Sequence, residues 1–161
     1  MPGRTSRIQS EIKQKRPFGS KEQEAAIALL RTADVVRRRI AEVIQPHGVT
    51  PQQYNVLRIL AGAGAAGMPT LEIAARMIER APGITRLLDR LEAKRMIRRE
   101  RCPTDRREVT CRISEPGLQL LKRMEETVNR ADHAAIKNLA TRELEQLIAL
   151  LDGVRREVGR E

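Results

Sequence analysis

Apolar side chains recur at intervals of three and four positions along several stretches of the chain, and this spacing places them on one face of an α-helix. The first stretch begins near Lys21 and is closed by Pro46, His47 and Gly48, which are residues that end helices. Its predicted inward stripe consists of Leu29, Ala33, Val36, Ile40 and Val43. The pattern therefore predicts one long helix that begins at about Lys21 and ends at Pro46, His47 and Gly48.

A second helix is predicted to begin at Thr50, because "TPQQ" has the pattern of a capping box. The Thr50 hydroxyl can accept a hydrogen bond from the backbone N–H of Gln53, while the Gln53 side chain accepts one from the N–H of Thr50. Pro51 suits the first helical position, where its missing N–H costs no hydrogen bond. The apolar positions that follow are Tyr54, Leu57, Ile59 and Leu60.

The segment "GAGAAG" at residues 62–67 matches the GxGxxG pattern of dinucleotide-binding proteins. That pattern binds a pyrophosphate only where it follows a strand and opens a helix in a βαβ unit. Here a helical pattern precedes it, and Met68-Pro69 interrupts the chain before the next element. The segment is interpreted as a flexible connector, and no cofactor is expected.

Two short helices joined by a tight turn are predicted over residues 70–94. Thr70 is a good N-cap for the first helix, and Pro82 suits the first turn of the second. The predicted inward positions are Leu71, Ile73, Ala74 and Met77 on the first helix and Ile84, Leu87, Leu88 and Leu91 on the second. The second helix is predicted to expose Thr85, Arg86, Asp89, Arg90 and Lys94. This pair has the outline of a helix-turn-helix, although many helical proteins contain such a pair.

An arginine-rich hairpin is predicted directly after this pair. The runs "IRRERC" and "EVTCRI" flank Pro103-Thr104-Asp105 and favour two short strands. A hairpin in this position is a wing, and Arg106 and Arg107 near its tip can reach phosphates or enter a narrow minor groove. Asp105 can hold one of these arginines by a charge-assisted hydrogen bond. The alternative is a well-solvated surface loop.

Two further helices are predicted at the end of the sequence. Ser114 is expected to cap the first, with Glu115 and Pro116 in its first turn, and Thr141 is expected to cap the second. Their apolar positions are Leu118, Leu121, Met124 and Val128, followed by Leu144, Leu147, Leu151, Val154 and Val158. The second set forms a narrow seam suited to pairing with other helices. Helices at both ends of the sequence are therefore expected to build a dimer interface.

The charge of the chain makes this helical domain a candidate for binding a polyanion. The 161 residues include 31 Lys and Arg against 21 Asp and Glu, a net charge of +10. Such an excess is typical of proteins attracted to nucleic acid or to an anionic membrane surface. Because Phe18 and Tyr54 are the only aromatic residues, single-strand binding by base stacking is disfavoured. Duplex DNA is the favoured partner.

Several other functions are disfavoured by what the sequence lacks. His47 and His133 are the only histidines, and neither stands in a nucleophile or metal motif, so the protein is not expected to be an enzyme or to bind a metal. Two cysteines, Cys102 and Cys111, make no disulfide framework. With no secretory h-region and no run long enough to span a membrane, a cytoplasmic location is expected. Residues 1–20 are interpreted as a basic flexible arm or a short helix, either without a role or in contact with DNA or a partner subunit.

In this order, the segments resemble the MarR family of winged helix-turn-helix transcriptional regulators. The resemblance covers roughly residues 25–158. It is carried by "VTPQQYNVLRIL", "TLEIAARM", "ITRLLDRLEAKRMIRRE" and "DRREVTCRISEPGLQLL". The combination is specific, whereas any one of these segments alone would be a weak signal.

The resemblance implies a mainly α fold with a small β-wing, in the order helix, helix, strand, helix, helix, strand, strand, helix, helix. It implies a homodimer that binds a pseudopalindromic operator and is often released by a small aromatic or other anionic effector. Residues 49–113 would form the winged helix-turn-helix DNA-binding lobe, and residues 21–48 and 114–161 the helical dimerisation lobe. By position, Thr85 and Arg86 match the exposed pair of the family's recognition helix. Asp105 and Arg107 match its Asp-x-Arg wing motif.

The sequence departs from the family pattern at two places. Arg95 stands where many members have glycine, so a local difference is expected at the end of the recognition helix. Ala81-Pro82-Gly83 replaces a more polar start, which leaves fewer side chains for base reading. His47 and Tyr54 lie near the expected junction of the lobes and are candidates for effector contacts. Their alternatives are a helix-end residue and a core ring.

The function that follows is sequence-specific binding of double-stranded DNA by a dimeric regulator, most often a repressor in this family. The alternatives are a non-specific architectural protein that binds any duplex, and a thiol-based regulator in which nearby arginines lower the pKa of Cys102 and Cys111. Arg90, Arg98 and Arg99 are expected to meet phosphates or solvent. The complete set of candidate DNA-binding residues is Thr70, Pro82, Gly83, Thr85, Arg86, Arg90, Arg99, Asp105, Arg106 and Arg107.

Overall fold

A computed structural model describes residues 6–80, 82–101 and 109–158, apart from the side chains of residues 157 and 158. The helices are α1 (Arg7–Glu11), α2 (Lys21–Ile44), α3 (Pro51–Ala63), α4 (Thr70–Arg76), α5 (Ile84–Ala93), α6 (Glu115–Ile136) and α7 (Thr141–Val158). The strands are β1 (Met68–Pro69), β2 (Ile97–Arg101) and β3 (Val109–Ile113). This architecture confirms the predicted fold class, mainly helical with a small β-wing.

The chain divides into two compact units, Met1–Arg39 and Ile40–Glu161. In the described part of the first unit, Ser6 caps α1 by accepting a hydrogen bond from the N–H of Gln9 at 3.4 Å. The pKa of Glu24 on α2 is lowered, first by a hydrogen bond from Lys21 and then by one from Ser6. Of the two alternatives for residues 1–20, the structure therefore contains the short helix, and its N-cap lies against α2.

The core of the second unit forms around α3, which begins with the predicted capping box. The N–H of Gln53 donates to Thr50 Oγ1 at 3.2 Å, and the N–H of Thr50 donates to Gln53 Oε1 at 3.1 Å. Apolar side chains from α3, α4, α5, α6 and β2 complete the core. The fully buried ones include Val56, Leu57, Leu60, Ile73, Leu88, Leu91, Ile97 and Met124.

The three strands form an antiparallel sheet in the order β1-β3-β2. Met68 pairs with Cys111 in the first ladder, and Ile97 pairs with Ile113 in the second. The predicted hairpin strands are confirmed within the described residues. Met68-Pro69 was expected only to interrupt the chain, but it forms β1, as the family resemblance implied. A Cβ on Gly67 would lie 2.5 Å from the carbonyl oxygen of Cys111, so only glycine permits this close approach of the backbones.

Two predictions at the start of α4 are wrong. Pro69 rather than Thr70 occupies the N-cap position, and the Thr70 hydroxyl instead donates to the carbonyl of Val109 on β3 at 3.4 Å. Leu71 is 84% exposed, while Ile73 is fully buried. Residues two positions apart are separated by roughly 200° around an α-helix. Because Ile73 faces the core, Leu71 therefore faces solvent.

The prediction for α6 is right about its cap and partly wrong about its buried face. Ser114 accepts a hydrogen bond from the N–H of Gly117 at 3.4 Å. Gly117, Leu120, Met124 and Val128 are buried along α6, whereas Leu118 is 43% exposed. Gly117 fixes this rotation, because a Cβ there would collide with the carbonyl oxygen of Met96 and lie 2.8 Å from Ile113 Cγ1.

The last helix also differs from its prediction at the N-terminus. Thr141 is the first helical residue rather than its cap, and the N–H of Ala140 donates to the Glu143 carboxylate at 2.7 Å. None of the described α7 side chains is buried. The predicted seam residues Leu144 and Leu151 are half-buried, Leu147 and Val154 are exposed, and the side chain of Val158 lies outside the description.

Candidate nucleic-acid interface

The helix α5 presents the cationic face that the sequence predicts. Leu88 and Leu91 are buried, and Ile84 and Leu87 are half-buried against the same core. On the other face, the exposed residues are Thr85, Arg86, Asp89 and Arg90, with Lys94 just beyond the last turn. This separation of faces is confirmed, and it leaves the arginines available to a ligand outside the fold.

The start of α5 differs slightly from the prediction. Pro82 lies in the turn before the helix, and Gly83 takes the N-cap position with a φ of +96°. Glycine adopts this backbone conformation without the steric penalty that a side chain would bring. Because glycine has no side chain, no capping hydrogen bond forms from a side chain at this N-cap. Pro82 therefore precedes the helix rather than opening it, and Ala81 lies outside the described residues.

The end of α5 closes in a Schellman motif although no glycine is present. The N–H of Arg95 donates to the carbonyl of Glu92 at 2.8 Å, and the N–H of Met96 donates to that of Leu91 at 3.0 Å. Arg95 adopts a φ of +58° to make this turn. The expected local difference at the helix end is thus wrong, because arginine occupies the left-handed position that glycine usually fills.

Neighbouring segments hold this end of α5 from two sides. The Ser114 hydroxyl donates to the Arg95 carbonyl at 2.6 Å, and the Ser114 N–H donates to the Met96 carbonyl at 3.0 Å. The Lys94 ammonium donates to the carbonyl of Gly48. The helix is therefore anchored to the segment before α3 and to the first turn of α6.

Arg99 on β2 turns towards α5 instead of towards solvent. Its Nε and Nη2 atoms lie 2.8 and 2.6 Å from Glu92 Oε2, and Nη2 lies 2.6 Å from Asp89 Oδ1. Its backbone N–H donates to Glu92 Oε1 at 3.2 Å. These contacts raise the pKa of Arg99, chiefly through the Glu92 hydrogen bond. The expectation that Arg99 meets phosphate or solvent is thus corrected: carboxylates of its own chain occupy the guanidinium.

The exposed arginines of α5 are placed differently. Within the described part of the chain, neither Arg86 nor Arg90 forms an ion pair, and both are exposed. Arg98 on β2 is also exposed, and its Cα is paired with that of Arg112 across the sheet. Arg112 instead forms an ion pair with Glu100. Arg86 and Arg90 on α5 and Arg98 on β2 are therefore exposed cations without an ion pair among the described residues.

The predicted residues of the wing tip lie in an undescribed segment, residues 102–108. They include Cys102, Asp105, Arg106 and Arg107, and their roles stay predictions. Cys111, the second predicted thiol, is fully buried on β3 and faces the Thr70 hydroxyl at 3.9 Å. Burial raises the pKa of Cys111, which is opposite to the lowered pKa that a thiol sensor requires. For Cys111, the expected activation by nearby arginines is therefore wrong.

The two candidate effector residues stand close to a shallow cleft but do not line it. Tyr54 is 8% exposed, and its hydroxyl accepts a hydrogen bond from Arg58 at 3.2 Å. His47 is half-buried in the 3₁₀ turn Gln45–His47. The cleft has a volume of about 640 Å³ and is lined by Gln45, Gly48, Val49, Thr50, Gln53, Arg90, Ala93 and Lys94.

In the described part of the chain, no helix has both the length and the apolar composition needed to cross a membrane. A short helix pair followed by a β-hairpin, with β1 completing the sheet, defines a winged helix-turn-helix protein. Comparison with known proteins identifies the family within this class. The sequence profile of the MarR family matches residues 47–108.

Relatives match over most of their length. A protein of Thauera aromatica, named as a transcriptional regulatory protein for the hcr operon, is 32% identical over 140 residues, which cover 86% of this chain and 83% of that protein. The crystal structure of a MarR transcription factor from Planctomyces limnophilus is 40% identical, with a TM-score of 0.67 over 84% of this chain and 98% of its own. This chain therefore belongs to the MarR family, whose fold is that of transcription factors rather than enzymes.

A more distant relative has the same fold. A mutant of Escherichia coli MarR, crystallised with operator DNA, is 23% identical, and its TM-score is 0.77 over 86% of this chain and 99% of its own. No local pattern in the sequence indicates the position of Arg99, since the contact between β2 and α5 depends on tertiary packing. Glu92, which fixes Arg99, was likewise missed, although an acidic residue on an arginine-rich helix is a feature that needs explanation.

Proposed function

We propose that this protein is a homodimeric transcriptional repressor that binds a pseudopalindromic operator in double-stranded DNA. The observation that carries the proposal is the exposed face of α5, where Arg86 and Arg90 stand opposite the buried Leu88 and Leu91. The net charge of +10 supports attraction to a polyanion. The operator DNA in the structure of the Escherichia coli relative supports the same choice of ligand.

In this proposal α5 enters the major groove and its first turn reads base edges. Arg86 is the main candidate, since arginine can bind the O6 and N7 atoms of guanine together, at about 1–3 kcal/mol of discrimination. Thr85 lies beside it, and Arg90 would meet a phosphate. Gly83 and Pro82 would let the backbone approach the duplex at the helix start. Arg106 and Arg107 of the wing would contact phosphates or the minor groove, with Asp105 fixing one of them.

A homodimer would cover the apolar side chains that the terminal helices expose. On α2, Leu30 is 71% exposed, and on α7 the exposed fractions are 60% for Ile148, 70% for Leu150 and 54% for Val154. Apolar surface of this kind is typical of interfaces between subunits. With twofold symmetry, the two α5 helices would reach half-sites about one helical turn apart, roughly 34–36 Å.

A small aromatic or anionic effector would act on the same end of α5 that the fold anchors. The cleft beside Gln45 and Thr50 contains two cationic side chains, Arg90 and Lys94, which favour a carboxylate. His47 and Tyr54 lie in the segments that flank this cleft, and they would add polar contacts to an effector that extends beyond the lining residues. An effector releases DNA only if it binds more tightly to a spacing of the α5 helices that does not match the operator.

Selection of bound fragments from random duplex DNA tests the proposed function. A regulator should yield a palindromic consensus and prefer it to random sequence by roughly 10³-fold or more. A protein that binds all fragments equally would be the architectural alternative. Arg86→Ala should reduce the preference at one base position of each half-site. Arg123→Ala is the matched control, since it removes the same charge from the exposed surface of α6.

The salt dependence of binding is a second test. If each subunit neutralises several phosphates, the logarithm of the affinity falls linearly and steeply with the logarithm of the salt concentration.

Titration with small aromatic acids at fixed salt tests the effector. The effector contacts are supported if the acids lower the operator affinity of the wild type and lower it less in His47→Ala or Tyr54→Phe. An unchanged affinity at all concentrations would contradict them.

A further inference from the structure

The recognition helix carries two carboxylates: Asp89 lies on the exposed face that is expected to approach a polyanion, and Glu92 is half-buried beside β2. Asp89 lies one turn after Arg86 on α5, and its side chain is 52% exposed. Glu92 follows one turn later with a side-chain exposure of 39%. Within α5, these two carboxylates balance the charge of Arg86 and Arg90. Without compensation, the helix would bring no net positive charge to the duplex.

Arg99 supplies the compensation from the neighbouring strand. Its guanidinium contacts Glu92 Oε2 through two nitrogen atoms and Asp89 Oδ1 through one of the same two. The side chain of Arg99 is only 24% exposed, against 52% for Asp89 and 39% for Glu92. The guanidinium is therefore better shielded from water than either carboxylate. The bond from the Arg99 N–H to Glu92 Oε1 fixes the strand backbone to the helix as well.

Arg86 is the residue whose freedom depends on this arrangement. Residues three apart on a helix are neighbours, so an Asp89 carboxylate without Arg99 can form an ion pair with Arg86. With Arg99 in place, Arg86 has no ion pair among the described residues. We propose that Arg99 is a positioning residue for DNA reading: it binds Asp89 and Glu92 so that Arg86 remains free for a base edge. This inference rests on the proposed function.

The same contact explains why Arg99 differs from its neighbour on the strand. Successive side chains of a strand point to opposite faces of the sheet, so Arg98 and Arg99 have the same charge but different surroundings. Arg98 is exposed, whereas Arg99 is half-buried against α5. If charge alone mattered for DNA binding, the two residues would be equivalent. If Arg99 acts by holding the carboxylates, only its loss should affect base reading.

The test measures the ratio of affinities for the selected operator and for random duplex DNA. Arg99→Ala should lower this ratio by about tenfold or more, the discrimination expected of one arginine–guanine pair. Arg98→Ala is the matched control and should lower both affinities with little change in their ratio. Arg99→Gln, which retains a donor but no charge, should lower the ratio as Arg99→Ala does. Each variant is first compared with the wild type by thermal unfolding, and binding is measured well below the lowest Tm.

Neutralising the carboxylates separates positioning from a purely structural role. Adding Asp89→Asn and Glu92→Gln to Arg99→Ala should restore the ratio to within about two- to threefold of the wild-type value. A packing defect would not be repaired in this way. An unchanged ratio in Arg99→Ala and Arg99→Gln would overturn the inference, and so would a folded triple variant that stays unselective. A wild-type protein that binds operator and random DNA alike would overturn the proposed function as well, whereas the first two results leave it standing.

Discussion

The Ser114 hydroxyl donates a 2.6 Å hydrogen bond to the carbonyl oxygen of Arg95 and accepts one from the N–H of Gly117. Arg95 follows the last turn of α5, and Gly117 lies in the first turn of α6. One serine therefore caps the helix that leaves the winged domain and satisfies a carbonyl at the end of the candidate recognition helix. The orientation of α5 depends on this junction as well as on its own apolar face.

Replacement of Ser114 should be costly for that reason. We expect Ser114→Ala to lower the free energy of unfolding by about 2 kcal/mol, since the lost cap and the lost bond to Arg95 each contribute about 1 kcal/mol. Denaturant unfolding monitored by circular dichroism measures the difference. Thr141→Ala is the control, because Thr141 stands inside α7 rather than at its cap. Equal losses in both variants would contradict the double role of Ser114.

Replacement of Arg95 by glycine should remove backbone strain and stabilise the fold. A side chain at a φ of +58° carries a penalty of about 1–2 kcal/mol, and glycine avoids it at the expense of greater freedom in the unfolded chain. We therefore expect Arg95→Gly to raise the free energy of unfolding by up to about 1 kcal/mol. Lys94→Gly should have the opposite sign, since Lys94 has a φ of −81° and also binds Gly48. Stabilisation of both variants, or of neither, would refute this account.

Two glycines that look alike in the sequence should respond in opposite ways to alanine. A Cβ at Gly117 would collide with the Met96 carbonyl oxygen, which belongs to the backbone and has little room to move. We expect Gly117→Ala to lower the free energy of unfolding by about 2–3 kcal/mol. Gly62 lies within α3 with open space around its Cβ position, so Gly62→Ala should stabilise by about 0.5–1 kcal/mol. Thermal and denaturant unfolding of both variants measure the contrast.

These contrasts show where sequence reasoning succeeds. The capping box at Thr50 was predictable because its partner, Gln53, lies three residues away and the pattern is local. The inward and outward faces of α5 were predictable because a single period governs them. Thr70 has an equally good capping side chain, yet its hydroxyl binds Val109, which is remote in the sequence. No local pattern contains that choice.

The candidate site divides in the same way. Thr85 and Arg86 were identified from the exposed face of a periodic helix and from a resemblance. The ion pairs of Arg99 depend on how β2 packs beside α5. Strand alternation puts Arg98 and Arg99 on opposite faces, but it does not show which of them meets the carboxylates of α5. The left-handed position of Arg95 was missed for a different reason: the motif is preserved by backbone hydrogen bonds even where its usual glycine is absent.

The buried thiol gives a prediction about pH. Burial raises the pKa of Cys111 above its ordinary value of 9.0, so the folded protein holds the proton more tightly than the unfolded chain does. The titration of Cys111 therefore leaves the free energy of unfolding unchanged below about pH 9 and lowers it as the pH rises through the folded pKa. We expect Cys111 to resist alkylation at pH 8 until the protein unfolds. The variant Cys102→Ser isolates Cys111, and rapid labelling of that folded variant would contradict the burial.

The apolar residues on α7 give the most direct test of self-association. Leu150 is 70% exposed, and a carboxylate in its place would have to be buried without a partner if a second subunit covers it. We therefore expect Leu150→Asp to shift the protein from dimer to monomer in analytical ultracentrifugation and to abolish operator binding. Ile78→Asp is the matched control: Ile78 is 86% exposed and lies between α4 and α5, so its change should leave the dimer intact. If half-sites are read in pairs, as the proposed function requires, monomers should also lose the palindromic consensus while keeping their affinity for short random duplexes. A dimer that survives Leu150→Asp would move the interface away from this face of α7.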